Sequence, residues 1–206
     1  MSPPRPARQP DSRSWAARFI RNVLLWLVPV WLVWTLLTPG YNRFLMAASG
    51  RLVRLTESPD VTDLLAHPQS RHAAYVARRD FPPARRLVHQ IWMTDVHFHL
   101  VLLGALFLAV PGISWRDRLA NLGQAALITV FFDLLVLFFI VKSVYATGLG
   151  PWSLAHYGPF ARNFYGLGRH LLDLPFKLAL PLLLWAGFYL REVPGFSSKT
   201  SLAPSE

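Results

Sequence analysis

Apolar residues in this chain gather into four long segments, with the polar residues between them rather than interleaved. The segments cover residues 19–37, 98–113, 122–145 and 171–190. A membrane-spanning helix needs about 20 mostly apolar residues. The third and fourth segments meet this, the first does so once Phe19 and Ile20 are counted, and the second reaches it with its flanks, His97 and Ser114-Trp115. The pattern predicts a mainly α membrane protein with four transmembrane helices. Within the third, the run AALITVFFDLLVLFFIV from Ala125 to Val141 holds a single carboxylate, Asp133. A charge in hydrocarbon is costly, so such a residue faces protein or a wet cavity.

The stretches between the spans differ in character. Residues 1–18 are rich in Pro, Arg and Ser and read as a disordered cytoplasmic tail. The first span contains Pro29, and Thr38-Pro39-Gly40 is expected to end it. Its tryptophans, Trp26, Trp31 and Trp34, favour a retained anchor over a cleaved signal peptide. Residues 38–97 form the one sizeable polar region and are expected to be a small β-containing extracytoplasmic insertion. Asn42–Leu55 has helical apolar spacing, and Glu57-Ser-Pro-Asp60 marks a turn. Residues 72–79 and 86–94 read as strands joined through Asp80-Phe-Pro-Pro83, with a third short strand expected nearby. So small a region builds little core of its own. Arg116 and Arg118 lie in a tight hairpin that makes the second and third spans antiparallel neighbours. Residues 146–170 carry Phe160, Phe164, Leu167 and, just beyond, Leu171 at the spacing of one helical face, as in an interfacial helix. Residues 191–206 read as a second cytoplasmic tail.

Charge and composition sharpen this reading. The formal net charge is +10. In a membrane chain this fits Arg at the span flanks and contact with the lipid bilayer, and no nucleic-acid-binding motif is present. The positive-inside rule, weighted to short loops, puts both termini in the cytoplasm and residues 38–97 and 146–170 outside, in a bacterial inner membrane. There is no cysteine, which removes disulfides, thiolate nucleophiles and iron–sulfur ligation. No cofactor fingerprint, Walker A loop, H-E-x-x-H or G-x-S-x-G occurs, so no catalytic residue and no metal site is assigned. Enzymatic activity is unsupported by motif.

Candidate chemistry therefore rests on isolated polar groups. Asp133 could relay protons, hold a cation or anchor a neighbouring helix. His97, His99, Lys142, His170, Asp173 and Lys177 are expected to form a polar cluster at the outer membrane face. Asp133 would lie ~13 Å deeper than Lys142, at ~1.5 Å per residue. Arg162 and Arg169, with Tyr157 and Tyr165, could hold an anionic lipid head, or else form an aromatic belt with flanking cations. His97 and His99 would share a face in a strand but point apart in a helix.

The layout of a Trp-rich first span, a small β-rich outer segment, the stretch HFHLVLLGALFLAVPG from His97 to Gly112 and a basic hairpin resembles the small integral membrane proteins associated with exosortases. Exosortases are multi-span transpeptidases with a cysteine nucleophile, so a chain without cysteine resembles their accessory and not the enzyme. The resemblance implies a non-catalytic accessory or scaffold in envelope protein sorting, working with a larger membrane protein. The alternative is a small transporter or channel subunit, or a lipid-binding envelope protein, using Asp133 and the outer-face cations.

Overall fold

A helix of 43 residues dominates the architecture. The computed structural model describes residues 12–193; the outer parts of both expected tails lie outside the described residues. α1, Ser12–Arg54, is unbroken and about 64 Å long at ~1.5 Å per residue. Two expectations are corrected here. Residues 12–18 are helical rather than tail, and Thr38-Pro39-Gly40 does not end the helix. Pro29 and Pro39 each remove one backbone donor. Around Pro39 the Thr35 and Thr38 hydroxyls bond back to the Trp31 and Trp34 carbonyls, as hydroxyls do inside helices. Packing of the following turns against the sheet then holds the helix on course.

Three antiparallel strands follow in the order β1-β2-β3: β1 is Thr62–Ala66, β2 Ala73–Arg78 and β3 Leu87–Trp92. β2 pairs with both neighbours, Leu64 opposite Val76 and Ala74 opposite Ile91. The two expected strands and the third beside them are thus present. α2, Met93–His97, and α3, His99–Ala109, come next, separated only at Phe98. α4, Trp115–Ser143, continues into a π-helical turn over Val144–Gly148. α5, Pro151–His156, leads to α6, Pro159–Tyr189, which bends by 52° between Asp173 and Pro175.

Two helices, Arg13–Arg54 and Trp115–Gly148, are long and apolar enough to cross a membrane, and the bent α6 makes a third if its halves count as one. This is compatible with a membrane protein. The expected second span over 98–115 is not reproduced as drawn. α3 has eleven residues, Val110–Ser114 is a loop, and Trp115 already belongs to α4. By length the four expected spans reduce to two or three. The expected interfacial helix of 146–170 and fourth span of 171–190 are instead two arms of α6. Phe160, Phe164, Leu167 and Leu171 do share a face, and all four are exposed.

Burial divides the long helices into two zones. Between Ile20 and Leu37, α1 exposes Leu24, Leu25, Val28, Trp31, Leu32 and Val33, as a lipid-facing helix would. On α4, the exposed large apolar side chains end at Leu135. Beyond it Val136, Leu137, Ile140, Val141, Val144 and Tyr145 are buried against Ala74, Val76, Ile91, Met93 and Val96 of the β-sheet region, with Leu45 and Val53 of α1. The sheet therefore sits directly on the far ends of α1 and α4. A second core, built on Leu103, Phe107, Ala125 and Tyr189, joins α3, α4 and α6.

Local chemistry explains the joints. Ser114 caps α4: its Oγ accepts from the Asp117 N–H at 3.2 Å and donates to Asp117 Oδ2 at 2.6 Å. Arg118 donates to the Leu108 and Ile113 carbonyls, clasping the hairpin. Gly112 turns it at φ +87°, a backbone region that favours glycine. At Gly168 of α6, an added Cβ would stand 2.1 Å from Phe139 Cε1 of α4. Gly168→Ala is expected to lower stability by about 1–3 kcal/mol, as overpacking does. Thermal unfolding in mild detergent measures it, and adding Phe139→Leu should recover part of the loss.

Candidate functional site

The polar groups converge where the exposed apolar zone of α1 and α4 meets the sheet. Tyr41, one turn beyond the apolar stretch of α1, donates its hydroxyl to Asp133 Oδ2 at 2.7 Å. Asp133 is fully buried. His99 opens α3 and brings its Nε2 to 3.4 Å from Asp133 Oδ1. This approach is close but poorly aligned: neither ring nitrogen of His99, nor Asp133 Oδ1, has a hydrogen-bond partner among the described residues. Phe98 and Phe132 close around the ring edge-on. Three helices thus meet at one carboxyl group.

This corrects the expected isolation of Asp133, while its separation from Lys142 along α4 stands. Asp133 is not isolated more than two turns below the outer-face groups, because His99 stands beside it. The C-terminal part of the apolar run is covered by the sheet and not by lipid, so the middle of the run is the seam between bundle and sheet.

His97 serves a second, fully paired chain. Its Nδ1 accepts from Trp34 Nε1–H at 3.2 Å, so the proton lies on Nε2, which donates to Asn42 Oδ1 at 2.8 Å. Asn42 Nδ2 then donates to the Arg71 carbonyl at 3.1 Å, in the turn between β1 and β2. The two histidines of the H-x-H pair face different partners, His97 toward α1 and His99 toward α4. No group of three or more His, Cys, Asp or Glu among the described residues could hold a metal ion.

The remaining candidates separate. Lys177, buried, contacts Asp173 one turn earlier across the α6 bend, and its charge reaches both His99 and Asp133. His170 is exposed and joins none of these groups. Lys142 lies elsewhere, near the top of α4, where it lines a different cavity. The lipid-head set also disperses. Arg162 lines a cavity of about 450 Å³ with Thr147, Ser153 and Asn163. Arg169 stands near His89 of β3, where burial, and after it the Arg169 charge, push the His89 pKa down. Tyr165 packs on Phe138, Phe139 and Tyr157.

No protein-family model, curated protein or solved structure matches this chain. The site must speak through its own geometry.

One cluster had no sequence signal strong enough to single it out. Arg78 of β2 is buried, forks onto both Asp80 oxygens at 3.0 and 2.7 Å, and lies over the rings of Trp152 at 4.4 Å and Tyr145 at 4.8 Å. Adjacent in sequence, the two arginines part in the fold: Arg78 turns inward while Arg79 stays half exposed beside Asp60 and Asp63. The Arg78 hydrogen bonds hold the Asp80 carboxyl below the usual carboxylate range. A carboxyl depressed on folding adds stability above its unfolded pKa and loses it as pH falls through the folded value. Acid unfolding followed by circular dichroism should therefore shift toward higher pH in Asp80→Asn. The shift will be small, because Asp80 is partly exposed and solvent screens the pair.

Proposed function

We propose that this protein is a non-catalytic accessory or scaffold of a bacterial inner membrane, presenting the sheet and its surrounding helices to a larger membrane partner in envelope protein sorting of the exosortase-linked kind. The observation that carries the reading is the hydrogen bond from Tyr41 to fully buried Asp133. The one carboxylate of the apolar run is engaged in joining α1 to α4, as an architectural group would be. The sheet's seat on both long helices supports the same reading, since a region held on two helices offers a partner a fixed surface.

Capture of the tagged chain in mild detergent tests it. A larger membrane protein is expected to co-purify, and to remain with Asp133→Asn, whose amide oxygen can still accept from Tyr41. Recovery of this chain alone would count against the scaffold.

One observation favours a second reading, a small transport or channel subunit. His99, Asp133 and Lys177 form a buried titratable group in which His99 has no hydrogen-bond partner. Buried titratable residues within spans mark ion and proton pathways. Proton uptake into proteoliposomes that Asp133→Asn abolishes would establish this reading over the first.

A further inference from the structure

Lys142 is 4% exposed, yet its ammonium makes no hydrogen bond and no ion pair within 4 Å. The Phe138 ring lies at 5.9 Å, the outer limit of a cation–π contact, and the Glu57 carboxylate acts on the ammonium from across the cavity, beyond ion-pair distance. The Lys142 stem is packed away while the ammonium tip reaches the wall of a solvent-accessible cavity.

Neither nearby carboxylate is within ion-pair distance of Lys142, and each carries hydrogen bonds of its own. Glu57 accepts from Thr62 Oγ1 at 2.7 Å and from the Thr62 N–H at 3.2 Å. Asp80 is held by both arms of the Arg78 fork. Lys142 instead lines a cavity of about 360 Å³, together with Arg78, Glu57, Trp152, His156 and Tyr157. That volume lies within the range of small-molecule sites, about 300–1,000 Å³. Arg78 spends Nε and Nη2 on Asp80, leaving Nη1 without a hydrogen bond, and its plane is fixed by Trp152 and Tyr145. A fixed guanidinium with a donor to spare, beside an unpaired ammonium, is suited to oxygen anions.

We propose that this cavity binds an oxyanion, a phosphate or carboxylate group with one negative charge, with Lys142 as its counter-charge and Arg78 as its positioned donor. Glu57 on the same wall sets the charge limit, since a polyanion would meet a carboxylate. The group could arrive as a soluble anion or on a lipid head.

The test uses the full chain in maltoside micelles stripped of lipid, at ionic strength fixed with chloride. Reductive methylation of each lysine is followed by mass spectrometry, beside the thermal midpoint. Phosphate or acetate is expected to raise the midpoint of the wild type and not of Lys142→Gln. Labelling of Lys142 should slow by about tenfold once the anion exceeds its dissociation constant about tenfold, by mass action. Labelling of Lys177, which is paired with Asp173, should not change. Protection by the soluble anions identifies a soluble ligand. Protection only in nanodiscs containing phosphatidylglycerol identifies a lipid head. If Lys142→Gln fails to fold, the labelling of the wild type decides alone. A midpoint and a Lys142 labelling rate that ignore phosphate, acetate and anionic lipid alike would overturn the proposal. An equal rise of the midpoint in Lys142→Gln would overturn it as well.

Discussion

Asp133→Ala should lower stability by about 2–5 kcal/mol, the sum of an orphaned buried donor and a cavity that collapses only in part. The donor left behind is the Tyr41 hydroxyl, at a seam where water has little access. For a chain of this size the loss corresponds to a drop of about 4–20 °C in the thermal midpoint. Asp133→Asn should cost far less, because an amide oxygen still accepts from Tyr41. Tyr41→Phe combined with Asp133→Leu should be milder than the two single losses added together, since replacing both partners by apolar groups can be nearly neutral. A double-mutant cycle read by thermal unfolding in mild detergent checks this. Additive losses would mean that the two groups do not depend on each other.

The second large effect is expected at His97, and it sets two histidines two residues apart against each other. His97→Ala removes the centre of a chain running from Trp34 through Asn42 to the Arg71 carbonyl. Two groups, the half-buried Trp34 N–H and the buried Asn42 side-chain oxygen, then lose a partner at once. Each is worth about 1–3 kcal/mol when left unsatisfied, so the total is about 2–5 kcal/mol once relaxation is allowed. His99→Ala breaks no hydrogen bond among the described residues, and its cost is lost packing and the loss of the loose 3.4 Å approach to Asp133. His97→Gln should recover part of the loss, since an amide both donates and accepts. The ranking of His97→Ala, His97→Gln and His99→Ala in midpoint is the measurement. A larger loss for His99→Ala would contradict the pairing described.

The strands of the outer region were legible because β-branched and aromatic residues cluster between turn residues. In the expected strand over 86–94, Leu87, His89, Ile91 and Met93 alternate with Val88, Gln90, Trp92 and Thr94; β3 covers Leu87–Trp92, and Met93 and Thr94 instead open α2. The long apolar runs likewise gave the helices. What the runs could not give was their surroundings. A lipid tail and a buried sheet face are equally apolar, so Val136–Tyr145 looked like membrane when it is covered by protein. The same ambiguity left the surroundings of Asp133 open. Pro39-Gly40 misled for another reason. Local propensity favours a stop there, while packing of the turns beyond it on the sheet favours continuation, and tertiary contact won. Tyr41 and Asn42 drew no notice because a hydroxyl and an amide one turn past a span are ordinary. Only the return of β1–β2 and α4 to that level makes them partners.

The uninterrupted run of α1 has a mechanical consequence. A sheet joined to its anchor by a slack tether could search a broad shell of space. Here the same rod that is long and apolar enough to cross a membrane also carries the sheet, so its standoff and its compass bearing are both set by residue count. One residue inserted near Gly40 would swing everything above it by about 100°, and seven would lift it by about 10 Å with almost the same bearing. Whatever meets the sheet must meet it at one height.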